Sequence, residues 1–492
     1  MTITRPLLSA NVRCSGRSKE RVFDPDTGVQ RYEVRFISKA SANQRSGRAG
    51  RTGPGHTWRL YSSAVYERDF KEFAEPEILK MPIEGVVLQL KAMNLKHVVN
   101  FPFPTSPDRH SLAKAEKLLQ YLSAITPEGR ATQIGKTMSK IPIPPRFARI
   151  LLVGHLHDCL SYTIALVAGL SVPEIFLPES QAIPSVPERE EEQHGFKSNE
   201  DMAAENARAQ ARRRYNEVHR NFRSLDGASD AIKLLQVVGE FAHSPSESWC
   251  TSRFVRFKAL QETQKLRKQI TSLLQKDIPA FANLTFQERL DRPSAKQVTA
   301  LKQMVAAGFI DQVAIRGDLA PVPPEMYRKP RRAIDVPYLP LQPLQTPGSS
   351  SSNSSTGDPL IDSAIYIHPS SNLAHHSTQE LPEYIVYSGL QRSAASGPIS
   401  IDGSGSNTKK PKTRMLALTD ITGAQLSALA KGTPLITYGK PIKEVQSAAG
   451  ATVRECWVVP YLRAEGTGGQ GWPLPVKKVT QKKVPGKGWV TE

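Results

Sequence analysis

Gln44-Arg45-Ser46-Gly47-Arg48-Ala49-Gly50-Arg51 sets three arginines at every third position with glycines between them. A guanidinium fork meets phosphate oxygens two at a time, and glycine lets backbone and ligand come close. The block therefore reads as a grip on a nucleotide or a nucleic-acid backbone. The plainer alternative is a solvated Arg/Gly-rich loop, or an RNA-binding segment without fixed structure. The flanks favour an ordered setting. Tyr32-Glu33-Val34-Arg35-Phe36-Ile37 alternates before the block and Thr57-Trp58-Arg59-Leu60-Tyr61 follows it, so the arginines sit between two expected strands. A strand-helix-strand unit of this kind puts ligand-facing groups at a helix start.

Outward from the block, the chain is basic throughout. Its 492 residues carry 65 Lys plus Arg against 46 Asp plus Glu, a net charge of +19. A polyanionic partner is the first expectation, and a surplus of charge for solubility the duller one. The length predicts about three or four domains, each large enough for its own core. Cys14, Cys159, Cys250 and Cys456 stand far apart with no C-x-x-C pair, which argues against a zinc site or a disulfide framework, so no metal site is expected. No uninterrupted apolar run approaches the length of a membrane span, and Met1 to Pro6 lacks the apolar core of a secretory signal. An intracellular, reducing compartment is the expectation. Lys409-Lys410-Pro411-Lys412-Thr413-Arg414 reads equally as a nuclear import signal or as a basic loop on an RNA-binding face.

Ile37-Ser38-Lys39-Ala40-Ser41-Ala42-Asn43 running into the arginine block and on through Thr52-Gly53-Pro54-Gly55 resembles the sixth helicase motif of the DEAH-box RNA helicases. In that family the motif lies on the second of two RecA-like domains and faces ATP held on the first. The resemblance implies that Gln44 helps place the attacking water or touches the terminal phosphate. It implies that Arg48 and Arg51 are arginine fingers that neutralise charge in the transition state, with Arg45, Gly47 and Gly50 beside the nucleotide. ATP and magnesium are the cofactors implied for the full-length family, and none is expected to bind tightly to this chain alone.

The fold class expected is α+β and multidomain: a partial RecA-like α/β layer, a winged helix, a helical ratchet domain and an OB-fold β-barrel. Residues 1–70 form the incomplete RecA-like part. Within it Arg21-Val22-Phe23, the turn Asp24 to Gly28, and Val29 to Phe36 read as a hairpin. The resemblance assigns its tip, Asp26 and Thr27, to RNA, where the alternative is an ordinary surface hairpin. Residues 71–142 switch to short helices and end in the wing-like Thr126-Pro127-Glu128-Gly129-Arg130, which resembles the family's winged-helix domain. Residues 143–300 read as packed helices interrupted by a mobile acidic insertion over 178–201, and resemble the ratchet domain. Arg212, Arg213, Arg214, Arg253, Arg256, Lys258, Lys265, Arg267 and Lys268 are candidates to line an RNA channel there, with Arg253 and Lys258 foremost. An outward charged helix face is the alternative for each.

Residues 301–465 hold strand-like runs at 312–315, 364–367, 384–387, 415–418 and 435–438, which suit an oligonucleotide-binding barrel with disordered loops at 341–359 and 391–413. His368, Ser370 and Ser371 are candidates for RNA-backbone contact, against the reading of a buried strand-end histidine with a capping serine. The basic tail 466–492 interleaves Trp472 and Trp489 with lysines, as a stacking, phosphate-gripping segment does. Together with Trp457-Val458-Val459-Pro460, Leu418 to Thr422 and Leu429 to Pro441, it resembles the nucleolar branch of the family, which removes U3 small nucleolar RNA from small-subunit pre-ribosomes. Pre-ribosomal RNA or small nucleolar RNA, pre-ribosomal proteins and a helicase activator are the partners so implied, the nucleolus the location, and no membrane is expected.

One departure limits the resemblance. The sequence contains no G-x-x-x-x-G-K-[ST] and no D-E-x-H. Gly135-Lys136-Thr137 ends like a phosphate-binding loop, but Gly129 stands one position too far upstream and no buried strand leads into it. Residues 1–15 look foreign to the pattern. The match therefore corresponds to the back half of a helicase, whose front half is missing or supplied elsewhere. Two functions follow as expectations: the C-terminal part of an ATP-dependent RNA helicase that is inactive alone, or a non-catalytic RNA-binding and activator-docking module.

Overall fold

The structure, a computed structural model, describes residues 11–23, 29–51, 53–183, 199–324, 329–342, 363–392, 412–444, 453–463, 471–484 and 488–491. The expected hairpin tip at Asp26 and Thr27, most of the acidic insertion, nearly all of both expected loops and Lys409 to Pro411 lie outside these residues.

The N-terminal layer begins with β1 (Asn11–Cys14), followed by the antiparallel hairpin β2 (Arg17–Phe23) and β3 (Val29–Phe36). Helix α1 (Lys39–Ser46) starts at Ser38, whose hydroxyl accepts from Ser41 N at 3.1 Å. Then β4 (His56–Arg59) returns to pair in parallel with β1, and α2 (Ser63–Asp69) follows. Cys14, Ile37, Ala42 and Phe70 make a small core ringed by Tyr61, Val65 and Tyr66. Gly16 closes the β1–β2 turn at φ +70°, where a Cβ would lie 2.6 Å from Phe70 Cζ, so the site admits glycine alone. Val34, Leu60 and Phe73 are 64, 64 and 71% exposed, so this layer leaves apolar surface uncovered.

Three short helices come next: α3 (Glu84–Ala92), α4 (Arg109–Tyr121) and α5 (Gln133–Ser139). Asp108 caps α4 by accepting from His110 N at 3.1 Å and Ser111 N at 3.4 Å. The helix buries Leu112, Ala115, Leu118 and Leu119, a stripe at helical spacing. Ile125 and Ala131 bridge antiparallel around the wing. A Cβ on Gly135 would sit 1.9 Å from Ala124 O. The Gly135-Lys136-Thr137 sequence is thus a helix packed against backbone, and not a phosphate loop.

The central helices are α6 (Pro145–Leu156), α7 (Leu160–Ser171), α8 (Glu179–Ala182), α9 (Asn199–Asn221), α10 (Asp230–His243), α11 (Glu247–Ser252), α12 (Phe257–Asp277) and α13 (Ala295–Gly308). Helix α7 is apolar on nearly all sides and accordingly lies between α6, α10 and α12. The expected division at 300 falls inside α13. Ser294 and Gln297 form a capping box that starts this helix, and it runs unbroken through that point.

Past α13, β5 (Val313–Arg316), β6 (Tyr338–Pro340), β7 (Tyr366–Ile367), β8 (Tyr384–Arg392) and β9 (Thr413–Ile421) close a ring. Strand β5 pairs with β6 and β8, β8 with β9, and β9 with β7. The last gap is closed by the Tyr338–Ile365 bridge, with Tyr338 N donating to Ile365 O at 2.9 Å and Ile365 N to Tyr338 O at 2.8 Å. Register shifts in β8 around Tyr387 supply the curl that closure needs. Strand β3 adds itself in parallel to the end of β8, Val29 opposite Leu390 and Gln30 opposite Gln391, which ties the hairpin to the barrel.

The fifth barrel strand is therefore β6, and not the expected run at 435–438. That run is β10 (Ile436–Tyr438), which follows α14 (Gly423–Leu429) and pairs with β13 (Pro460–Leu462), itself paired with β14 (Trp472–Pro473). A second sheet joins β11 (Lys443–Glu444), β12 (Val453–Val458), β15 (Lys477–Val484) and β16 (Gly488–Thr491), all antiparallel. The segment expected as a tail from 466 onward is built into both sheets. A boundary at 465 would cut β12 from β15.

Candidate nucleotide and RNA interface

The arginine block lies at the end of α1, not at a helix start. Gln44, Arg45 and Ser46 fill its last turn, and Gly47 N, Arg48 N and Ala49 N continue the turn onto Asn43 O, Arg45 O and Ser46 O at 2.9, 3.2 and 3.1 Å. The negative end of the helix dipole favours the cations gathered there. Ala49 is buried and pins the turn, while Gln44, Arg48 and Arg51 are exposed. Among the described residues neither Arg48 nor Arg51 has an ion-pair partner. Arg45 points the other way: its Nη1 donates to Arg17 O at 3.3 Å and lies 3.9 Å from Cys14 Sγ, so it braces the turn against β1 and β2. The glycines keep negative φ, and Gly50 has open space where a Cβ would stand.

Support comes from residues that the sequence does not single out. Arg59 Nη2 donates to Asn43 Oδ1 at 2.9 Å, and the Tyr66 ring lies 5.0 Å from Arg59 Cζ and 5.3 Å from Lys39 Nζ. This fixes β4 and α2 to the helix that carries the block. Lys39 also meets Glu67 at 2.5 Å, a hydrogen bond that raises the ammonium pKa.

The basic residues of the helical domain divide sharply. Arg267 is 2% exposed and donates to Gln287 O at 2.8 Å and Glu288 O at 3.3 Å. Burial lowers its pKa to about 10. It is a structural residue, which corrects its reading as a channel group. Arg212 pairs with Glu179 at 2.7 Å, and Arg256 with Glu174 at 3.1 Å and Gln181 at 2.9 Å. Arg253 stacks 4.7 Å over Trp249. Arg213, Arg214, Lys258, Lys265 and Lys268 are exposed and carry no ion pair among the described residues.

On the barrel, His368 Nδ1 lies 2.7 Å from Ser370 Oγ and accepts from Ser370 N at 3.2 Å. Burial, then the charge of Arg414, lowers the His368 pKa, so the ring is neutral. Ser371 is 2% exposed and caps the turn at Leu373 N, which removes it from any ligand-facing surface. It also hydrogen-bonds Asp230, whose Oδ1 accepts from Asn372 N at 2.7 Å. This cluster locks the barrel to the start of α10, where Ser229 Oγ donates to Leu418 O at 3.0 Å. Lys302 adds a second tie, 2.9 Å from Asp226 and 2.6 Å from Asp420. The Ser229-Asp230 pair before an apolar run is a visible helix cap, but its use across two domains has no sequence signal. The motif block, the helical lysines and the His368–Ser370 pair thus lie on three different units.

This geometry has a counterpart in known domains. Residues 115–143 match the winged-helix part of the helicase-associated domain HA2, 144–234 its ratchet-like part, and 301–432 an oligonucleotide/oligosaccharide-binding fold. The chain carries the C-terminal domains of a DEAH-box RNA helicase. A putative ATP-dependent RNA helicase of Schizosaccharomyces pombe is 37% identical over 99% of the chain. The probable ATP-dependent RNA helicases DHR1 of Saccharomyces cerevisiae and DHX37 of Homo sapiens are 38% identical over 96% and 35% over 78%. These helicase domains span 37% of the length of the first two relatives and 31% of the third.

Proposed function

We propose that this chain is the RNA-holding part of an ATP-dependent RNA helicase that remodels RNA in ribosomal RNA processing, and that it contributes one wall of the ATP site. The observation that carries the proposal is the pair Arg48 and Arg51, exposed, free of ion pairs among the described residues and fixed by a buried Ala49. Two open guanidinium groups fit one side of a triphosphate. Gln44 stands beside them on the same turn. Bound ATP with magnesium would supply the transferable phosphoryl group; the residues here supply charge and position and do not cradle the whole phosphate chain. In this reading Arg213, Arg214, Lys258, Lys265, Lys268 and the His368–Ser370 corner hold RNA backbone. A ribosome-assembly role in the nucleolus, with small nucleolar or pre-ribosomal RNA and an activating protein as partners, follows from the likeness of the closing segment to its family branch.

Arginine fingers act on a nucleotide bound elsewhere, so the 492-residue chain alone is expected to bind RNA without turning over ATP. RNA-stimulated ATP hydrolysis measured on this chain tests it. Background turnover unchanged by Arg48→Ala is the expected result, and turnover abolished by that substitution overturns the expectation that the chain alone is inactive.

A further inference from the structure

We propose that the outer face of the β11–β12–β15–β16 sheet is a second binding site for single-stranded RNA, with Trp457 as its stacking platform and Lys443 and Lys482 as its phosphate contacts. The site is distinct from the barrel and helical surfaces above; the proposal deepens the RNA-holding reading and rests on it.

The register builds the site. Lys443 pairs with Trp457 and Trp457 with Lys478, so a Lys-Trp-Lys row crosses three neighbouring strands. Alternation sends Cys456, Val458 and Val479 into a small core with Tyr438 and turns Val453, Glu455, Trp457, Lys478 and Lys482 outward. Glu455 shares the outer face and meets Lys478 at 2.6 Å. Lys443 and Lys482 have no ion-pair partner among the described residues. Lys443 stands directly across from Trp457, within about 5.5 Å at Cβ, and Lys482, opposite Val453, lies about 13 Å further along the same outer face.

Of the tryptophans in this region, Trp457 is the open one. It is 39% exposed, and no aromatic ring or cation covers it among the described residues. The Trp489 ring instead has the Arg454 guanidinium 4.3 Å from its centroid, and Trp472 packs 6.2 Å from Tyr384. Residues 436–491 hold nine Lys plus Arg against three Glu. An uncovered indole with the unpaired Lys443 beside it and the unpaired Lys482 further along the same face is the pairing that single-stranded nucleic acid uses, with a base on the ring and phosphates on the cations. An acidic protein segment would use the lysines but gains little from a bare indole.

The test uses the whole chain with a short oligouridylate bearing 4-thiouridine. Photocrosslinks are mapped to peptides, and affinity is followed by anisotropy against salt. Crosslinks in β12 or β15 are expected, weakened about tenfold or more by Trp457→Ala and largely retained in Trp457→Phe. The Lys443→Ala/Lys482→Ala double variant should flatten the logarithmic salt slope of binding by about 1.4. Crosslinks confined to other elements, or equal yields in wild type and Trp457→Ala, overturn the proposal. So does displacement by poly-glutamate as effective as displacement by unlabelled RNA, which would mark an acidic protein partner. If Trp457→Ala fails to fold, the double variant and Trp457→Phe decide: an unchanged slope in the former, or loss of the crosslink in the latter, has the same force. A chain that binds no RNA at all sinks the broader reading too; RNA bound elsewhere sinks this site alone.

Discussion

At the scale of single residues, chemistry and structure separate within one short block. Arg45, Arg48 and Arg51 are equivalent in spacing, yet Arg45 turns inward to Arg17 O while the other two stay open. Spacing identifies the residue type a phosphate needs and not which of the three reaches it, because that depends on the helix ending at Ser46. A buried polar pair shows the same limit. His219 and Lys233 are 6 and 4% exposed, with Lys233 Nζ 3.1 Å from His219 Nδ1. Burial, then the neighbouring charge of Lys233, lowers the His219 pKa to about 3, and burial lowers Lys233 to about 8. The folded state thus keeps His219 neutral while the unfolded chain protonates it near 6.5. The unfolded state binds more protons below that point, so His219 contributes stability that is fully present above pH 6.5 and is lost as pH falls toward 3. Urea unfolding should show about 2 kcal/mol lost from this group between pH 7 and 5. His219→Gln, which keeps an acceptor for Lys233, should remove that loss; an unchanged pH dependence would refute the assignment.

Among the elements, patterns that are local in the chain were legible and patterns that depend on pairing were not. The turn signal and alternation point to the β2–β3 hairpin, and short apolar runs at short spacing point to β5, β7, β8 and β9, of which β5, β8 and β9 are buried on both faces. Strand β6, Tyr338–Pro340, contains a proline and only three residues, too short for alternation to register. Its place in the ring comes from bonds to Ile365, distant in sequence. Strands β12 and β15 were missed as a sheet for the same reason: the tail reads as basic and Trp-rich until its partner is known. Gly135 shows the converse, a motif-like string whose glycine serves packing. Gly135→Ala would press a methyl group against Ala124 O, and since backbone must move, a cost of about 1–3 kcal/mol is expected in denaturant unfolding. Gly85→Ala meets open space in a helix and should be neutral or stabilising. Equal effects at both positions would contradict the packing role.

For the whole molecule, the ratchet-like helices and the barrel behave as one body. They share a core running from Ile164 and Leu235 to Val386 and Leu418, and the Asp230–Asn372 and Lys302–Asp420 contacts close its edge. Arg146 adds a bidentate pair to Asp311 at 2.5 and 2.9 Å across the same joint. The N-terminal layer is attached differently, through a small core of its own and two paired residues of β3. In the proposed function, this rigid body holds RNA while the separately attached N-terminal layer offers the open Arg48 and Arg51 to a nucleotide presented by another surface. The net charge of +19 spread over exposed lysines should make that hold electrostatic. The most direct measurement is the affinity of the 492-residue chain for single-stranded RNA across a series of salt concentrations. A logarithmic plot falling by about 0.7 for each phosphate held, and hence by about 3 or more for several, is predicted; a flat line, or no binding at low salt, would contradict the account.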